Sequence, residues 1–515
     1  MKILDSAKVL RILLKLFIIF FYLFLSYHAI VSAFLLYLNR VNEPSWWYLI
    51  DILTLVFEVI AMYGIIQFLK TGVISLNYIT TNIPEITTDY YDVDVFIPIK
   101  NEDPERLART LQGFIEQTYP SEKIHVYVGT ETKNVSLLEK YRIICNNFGA
   151  TLIREDNNFY KAGMLNILLK RTSSPIVLTF DYDHRPTPEG VYFLVSKLLH
   201  SEEDVAFVQA KAKFEGIKNS LHAWASLLYK QYFEVVNVAK STIGTVIYNG
   251  TTAAFKRKYL EEVGGFPIKT FTEDAELTVN FLINGYHGEF LNKSCSIGTV
   301  PKNYSSQVSQ LWRWTHGGVS VFKYYAADVL KTKKLSLTQK IDVLSTYGLF
   351  FVLVGAYGYV IAIFLGLVTH NQITRPYYFG VPPSIITPVT ISSVYAALAL
   401  LSGYLAKTRE KEHLPWSLMF ISLIISVATN PFLLGAVFYA ILGKKGPNDP
   451  KGNWSKKIHM TSTSLLFLVI GIFLIYSGIC FIFSGIMDGS LLVLIGLTLI
   501  PTFFLHLRYD VFNKI

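Results

Sequence analysis

The stretch Pro175-Ile176-Val177-Leu178-Thr179-Phe180 runs straight into Asp181-Tyr182-Asp183-His184. Its apolar body reads as a buried strand. Two carboxylates at i and i+2 of an extended chain fall on the same side. Just past a buried strand, such a pair is placed to share a hard divalent cation, which prefers oxygen ligands. The competing reading is a solvated turn closing on Arg185-Pro186, because Asp and Pro favour turns.

Outward from this strand, the surrounding segments alternate strand and helix signals. Residues 92–98 alternate and end apolar, as a strand does, and Asp103-Pro104 then supplies an N-cap and an N1 proline. Leu107, Leu111, Phe114 and Ile115 follow at the spacing of a helical core stripe. Residues 123–128, 205–211 and 246–255 read as further strands. The pattern predicts an α/β domain with a mostly parallel sheet covered on both faces. In such sheets ligands bind beyond the carboxyl ends of the strands. No Gly-x-Gly-x-x-Gly follows the first strand and no Gly-Lys-Ser/Thr loop occurs, which weakens dinucleotide and P-loop readings.

Composition sets this domain in a membrane context. The chain has 515 residues, 51% hydrophobic and only 17% charged, against ~25% charged in soluble proteins. A wholly soluble enzyme, a disordered chain and a fibrous repeat are excluded. The apolar surplus is packed into blocks. Residues 9–38 and 46–69 are each long enough to span, the requirement being ~20 apolar residues. The first lacks a small-residue cleavage site and exceeds a secretory core of ~7–15 residues, so it reads as a retained anchor. Apolar blocks resume at 341–368, 384–406, 416–442, 465–483 and 491–505. The expected domains are an N-terminal membrane block (1–70), the cytosolic α/β domain (71–300), interfacial helices (301–340) and a C-terminal membrane bundle (341–515).

The net charge of +9 has no dense Lys/Arg stripe interleaved with aromatics, so nucleic acid is not an expected partner; the lipid bilayer is. Short cytoplasmic loops collect Lys and Arg. Lys2, Lys8, Arg11 and Lys15 put the N-terminus inside, and two spans return the chain to the cytosol at Lys70, in agreement with Lys331, Lys333 and Lys334. Lys407, Arg409 and Lys411 belong inside, and so does the lysine-rich loop 444–457. The apolar run between them therefore cannot cross once, and Asn430-Pro431 at its middle suggests a hairpin or a span plus an interfacial helix. Cys145, Cys295 and Cys480 have neither disulfide nor metal-ligand spacing and read as ordinary buried residues.

Further candidates flank the Asp-x-Asp pair. In Thr272-Glu273-Asp274, acidic residues in a first helical turn suit the helix dipole, or Asp274 is a general base for an acceptor hydroxyl. Lys161 opens the preceding helix and either meets phosphate or lies at the surface. In Gln310-Leu311-Trp312-Arg313-Trp314, Arg313 is suited to a diphosphate. Trp314 either stacks under a sugar or belongs to an interfacial aromatic belt.

The order Lys-Ala-Gly (161–163), Asp-x-Asp-His (181–184), Asn-Gly-Thr (249–251), Val-Gly-Gly-Phe (263–266), Thr-Glu-Asp (272–274) and Gln-x-x-Arg-Trp (310–314), enclosed by membrane segments, resembles the processive membrane glycosyltransferases of family 2. That group includes cellulose, hyaluronan, chitin and poly-N-acetylglucosamine synthases. The resemblance covers roughly residues 90–340 and implies a GT-A-type nucleotide-sugar fold. It also implies that Asp181 and Asp183 bind the nucleotide diphosphate and its Mg2+ or Mn2+, with Lys161 near the donor phosphates and Arg313 on the pyrophosphate. Asp274 would be the base of an inverting transfer. Trp314 and Gln310 would meet the acceptor's terminal sugar, with Asn249, Gly250 and Thr251 on the acceptor side. The C-terminal bundle would export the glycan, and the loop carrying Trp454 would close over the site at the plasma membrane.

Two departures fall on base recognition. The family's Pro-x-Tyr-Asn-Glu reads Pro98-Ile99-Lys100-Asn101-Glu102 here, and its paired aspartates after the second strand are replaced by Gly129-Thr130-Glu131-Thr132. Glu102 and Glu131 are kept as donor-side candidates; UDP is the first expectation for the carrier and GDP stays open. A glycan is the expected acceptor, and accessory subunits are not read. The alternatives are a non-processive transferase acting on a polyprenyl phosphate or other lipid, and a transporter with a nucleotide-sensing domain. The transporter reading is weakened by the lack of repeats and of charges deep in most spans.

Overall fold

The computed structural model describes residues 90–156, 159–368, 416–444, 460–483 and 489–511, with scattered positions before residue 90. Most of the expected first span, residues 384–411 and the loop around Trp454 lie outside the described residues.

The α/β domain contains β1 (Val93–Ile99), α1 (Pro104–Ile115), β2 (Ile124–Thr130), α2 (Val135–Asn147), β3 (Thr151–Arg154), α3 (Tyr160–Arg171), β4 (Ile176–Thr179), β5 (Arg185–Pro186) and α4 (Gly190–Leu199). It continues through β6 (Val205–Glu215), α5 (Ser220–Gln231), a π-helical segment Tyr232–Asn237, α6 (Val238–Ile243), β7 (Ala253–Lys256), α7 (Arg257–Glu262), α8 (Glu273–Asn284) and β8 (His287–Thr299). The strands form one sheet in the order β3-β2-β1-β4-β7-β6-β8-β5.

Asp103 caps α1 as expected, its carboxylate accepting from Glu105 N at 3.0 Å. Leu107, Leu111 and Phe114 are buried, whereas Ile115 is 56% exposed, at the fraying end of the expected stripe. One apolar layer joins α1, α2 and α4 to one face of the sheet, through Leu107, Tyr141, Leu194 and Val95 among others. A second joins α3 and α8 to the opposite face through Leu165, Leu168, Phe281 and Phe96. Both faces are therefore covered.

The expectation of a mostly parallel sheet is corrected to a mixed one. β1 pairs in parallel with β2 and β4, but β7 lies antiparallel to both β4 and β6. The reason is the route of the chain: β7 is entered from the loop at the carboxyl edge, so it must run back. The strand expected over 246–255 is shortened to Ala253–Lys256. Gly250 (φ 82°) and Thr252 (φ 54°) interrupt the extended backbone. The buried Gln209 side chain then replaces the ladder, accepting from Asn249 N at 2.8 Å and donating to Thr251 O at 3.0 Å.

At the opposite edge, Asp94 and Arg257 are both buried and paired at 2.8 Å. Asp94 also accepts from Ser174 N and Oγ, and Arg257 donates to the carbonyls of Ser174 and Leu169. Removing one member of a buried pair leaves the other charge uncompensated, at a cost of about 3–5 kcal/mol. Asp94→Ala is expected to lower the thermal unfolding midpoint of the domain markedly, whereas Lys258→Ala, which breaks an exposed pair with Glu203, is expected to leave it unchanged.

Beyond the sheet come α9 (Tyr304–Lys331), α10 (Leu337–Gly348), α11 (Phe351–Val368), α12 (Trp416–Ile441), α13 (Met460–Phe483) and α14 (Gly489–His506). The apolar run expected over 341–368 is two helices. Its first part belongs to α10, capped reciprocally by Ser336 and Gln339, and carries the buried Asp342 against Lys240 and Thr245. The hairpin expected at Asn430-Pro431 is not formed, since α12 runs unbroken through Pro431. Near the proline, Thr429 Oγ1 bonds Ile425 O and Thr502 Oγ1, on α14, bonds Ala428 O. One flank of α12 is docked on α5 and α9, through Trp224 to Ser426 and Tyr304 to Thr429, and His316 bonds Lys444 O just past its end.

Among the described residues, two helical windows are long and apolar enough to cross a membrane, Ile424–Ile441 and Thr463–Cys480. α13 and α14 approach closely at glycines: a Cβ on Gly496 would lie 2.4 Å from Gly471 O, the kind of contact that small residues permit between apolar helices.

Candidate active site

The site is built at the carboxyl edge of the sheet, where β1, β2 and β4 end side by side. Asp181 follows β4 at the carboxyl edge; its carboxylate accepts from Lys161 Nζ at 2.6 Å and its backbone N–H donates to Thr251 Oγ1 at 2.9 Å. Lys161 Nζ also donates to Gly250 O at 2.9 Å and stands 3.8 Å from Glu273. Burial opposes the Lys161 ammonium, yet the charges of Asp181 and Glu273 hold it well above the usual lysine range. The lysine is therefore a fixed cation joining the three loops.

Gly250 is the meeting point. A Cβ at this position would lie 3.2 Å from Asp274 Oδ2 and 3.3 Å from Lys161 Nζ. Its positive φ of 82° also suits glycine alone among the common residues. Asp274 opens α8, and its Oδ1 accepts from Ala275 N at 2.8 Å. Burial pushes the Asp274 carboxyl up to about 7, and the neighbouring Glu273 charge adds to the rise. Glu273 is itself raised by burial. A carboxyl raised toward neutrality is the kind of group that can act as a general base.

Asp183 lies apart from Lys161. Its Oδ2 accepts from Thr299 Oγ1 at 3.0 Å and faces Arg106 Nη1 at 3.5 Å. His184 turns away from the site to Ser296 Oγ at 3.3 Å, with no space for a Cβ at Gly298 opposite it. Glu102 sits beside Tyr182, and burial raises its carboxyl. Glu131 lies at the end of β2, paired with Lys100 at 2.6 Å.

Among the described residues no group of three or more His, Cys, Asp or Glu side chains is arranged to hold a metal. The donor set of Asp181 and Asp183 fits a magnesium-like ion that takes one or two carboxylates and completes its shell with phosphate and water oxygens. It does not fit an all-protein cage.

The α9 helix supplies the remaining candidates. Gly317 packs so tightly on Thr272 that a Cβ would stand 2.3 Å from its side chain. This close approach sets α9 against the turn that leads to Asp274. Burial pulls the Arg313 guanidinium below its usual value, opposed by the charges of Glu273, Asp181 and Glu102 that it faces. Trp314 is 39% exposed and meets Tyr229 edge-on at 6.0 Å, while Trp312 is buried against His316. Gln310 accepts from the Tyr229 hydroxyl, and Tyr229 stacks on Phe214 at 4.3 Å.

Lys161, Asp181, Asp274, Gly250 and Thr251 thus come together, and Arg313 faces the same charges. Asn249 lies next to this group with its amide atoms buried and without a hydrogen-bond partner. Glu131 stands two strands away from Asp181. Sequence reasoning missed Gln209, Arg106, Thr299 and Tyr229. Gln209 had a signal, a lone amide in the apolar strand VAFVQA; the others had none.

The α/β domain has counterparts among known proteins. Residues 94–264 match the family described as glycosyl transferase family 2. A cellulose synthase catalytic subunit (UDP-forming) of Pseudomonas fluorescens is 28% identical over 237 residues, 45% of this chain and 31% of that protein. A probable glucomannan 4-beta-mannosyltransferase of Oryza sativa is 26% identical over 270 residues, 50% of this chain and 46% of that protein. The chain thus spans less than half the length of these curated relatives. The fold is shared with a mannosyltransferase of Pyrobaculum calidifontis solved in complex with GDP-Man and Mn2+, at a TM-score of 0.53 and 19% identity, over 75% of this chain and 99% of that one. The matched segment, which holds Lys161, Asp181 and Gly250, is thus similar to the family 2 glycosyl transferases.

Proposed function

We propose that the chain transfers a sugar from a nucleoside diphosphate carrier to a hydroxyl of a glycan, with inversion, at a membrane. The observation that carries this reading is the convergence at Gly250: a carboxylate raised to about 7 and a fixed ammonium lie on either side of one glycine, beside the Asp181 that follows β4.

The division of labour follows from the charges. Asp274 accepts the proton of the attacking hydroxyl. Lys161 and Arg313 bring two cations to the side of Asp181, where a departing diphosphate gathers negative charge. Asp181 and Asp183 would hold the divalent cation, which when bound supplies charge neutralisation of the leaving diphosphate. Glu102 stands near the same carboxylates. Trp314, braced by Tyr229 and Gln310, offers a half-exposed aromatic face to a terminal sugar. Asn249 and Thr251 border the path of the incoming hydroxyl.

Polymer growth and export are part of the proposal. Their support is the docking of α12, one of the two membrane-length helices, along the α5 and α9 flank beside Trp314.

The test is incubation of the purified protein with a panel of nucleotide sugars, Mn2+ and oligosaccharide acceptors. Nucleotide release coupled to lengthening of the acceptor by mass is expected. Release with no glycan product, or a lipid carrying a single sugar, would refute polymer synthesis. Within this scheme Trp314→Ala is expected to raise the KM for acceptor about 5–150-fold, from the ~1–3 kcal/mol of a stacking contact, while the KM for donor moves less than twofold. An equal rise in both would remove Trp314 from the acceptor side.

A further inference from the structure

The two positions that depart from the family pattern, Lys100 and Glu131, touch each other. Lys100 Nζ stands 2.6 Å from Glu131 Oε1, with the lysine side chain half exposed and the glutamate mostly covered. Register explains the meeting: Ile99 is paired with Thr130, so the next residue on each strand projects from the same point of the carboxyl edge. The loops they open are cross-tied. Thr132 Oγ1 bonds Asn101 Oδ1, Tyr141 OH donates to Glu102 O at 2.7 Å, and Glu155 N donates to Thr130 O at 3.0 Å. A half-exposed ion pair adds little to stability, and this one is held on a braced ledge rather than on a free surface.

The ledge lies in line with the diphosphate site. β2 is two strands from β4, about 10 Å at ~4.8 Å per strand, a separation that a ribose bridges. A nucleotide whose phosphates sit at Asp181 therefore presents its base to Lys100 and Glu131.

We infer that this pair reads the nucleobase and selects guanine, so that the donor is a GDP-sugar; the inference rests on the transferase reading above. Lysine only donates hydrogen bonds and an ionised glutamate only accepts them. The edge of guanine carries one acceptor, O6, followed by two donors, N1–H and N2–H. Lys100 meets the first and the two carboxylate oxygens of Glu131 meet the others. Uracil carries a single donor, N3–H, between two carbonyls. A carboxylate bound to N3–H sets its second oxygen against a carbonyl, and that repulsion discriminates against the wrong base. Cytosine and adenine each lack the second adjacent donor.

Calorimetric titration of the full-length protein with GDP and UDP in Mn2+ decides the matter. GDP is expected to bind at least tenfold tighter than UDP. Glu131→Gln, which sets an amide against one of the guanine donors, is expected to weaken GDP about 10–100-fold, the scale of a lost hydrogen bond to a charged group. UDP binding should change less than threefold. Wild-type protein that binds UDP as tightly as GDP overturns the inference while leaving the transferase reading intact. So does Glu131→Gln weakening both nucleotides equally. Failure to bind either nucleotide overturns both readings.

Discussion

In the Asp274→Asn variant, glycosyl transfer is expected to fall by about 10²–10⁴-fold, the range supplied by a positioned acid or base, while nucleoside diphosphate affinity stays within threefold of wild type. The asparagine keeps the shape and the bond to Ala275 N but has no basic oxygen. Nucleotide affinity is expected to be spared because the Asp274 carboxylate bonds its own helix at Ala275 N, whereas Lys161 bonds Asp181. Rapid-quench measurement of a single turnover beside equilibrium binding separates the two effects. Transfer at a third of the wild-type rate would remove Asp274 from the role of base.

The same residue fixes the pH dependence. Burial and the Glu273 charge raise its carboxyl from the usual range to about 7. The base works only when ionised, so kcat/KM is expected to climb tenfold per pH unit below 7 and to level off above it. Stability runs the opposite way. A raised carboxyl favours the folded state most below its unfolded value, near 4, and that contribution is lost as pH rises through about 7. The site therefore becomes active in the range where its buried carboxylate destabilises the fold, a trade expected of a functional group rather than a structural one.

Local patterns made the α/β character legible. The PIVLTF strand, the Asp103-Pro104 cap and the Leu107/Leu111/Phe114 stripe all depend on neighbours a few residues apart, and all appear where spacing placed them. The sheet's mixed direction did not show, because it depends on where the chain re-enters at β7. Residues 246–252 have strand composition, yet Gln209, some 40 positions earlier, replaces their ladder with side-chain bonds. β8, with its Gly, Asn and Lys, had no strand signal, but pairing along β6 holds it. Pro431 was read by its local rule, but α12 runs unbroken through it. In the site, residue types were legible while their meeting was not: Gly250 lies 89 positions from Lys161 and touches it.

Asp183→Asn tests the donor half of the site. The wild-type side chain accepts from Thr299 Oγ1 and faces Arg106, and an asparagine oxygen can keep the first contact, so the fold is expected to hold. What is lost is one of only two carboxylates on offer to a cation whose remaining ligands must come from phosphate and water. With half of the protein's charge on the ion gone, the Mn2+-dependent gain in nucleoside diphosphate affinity is expected to shrink by more than the ~10–100-fold that loss of an outer-shell partner costs at metal sites. Binding without Mn2+ should rise slightly, because the diphosphate no longer meets that negative charge. Titrations with and without Mn2+ read the two effects separately. An unchanged Mn2+ gain would show that Asp183 serves Arg106 and Thr299 alone and would leave Asp181 as the sole metal candidate. A loss confined to the Mn2+ arm, with the thermal midpoint unchanged, would keep Asp183 among the residues that would hold the cation. The rest of a magnesium-like shell would come from water and phosphate oxygens, leaving Lys161 and Arg313 to meet the diphosphate.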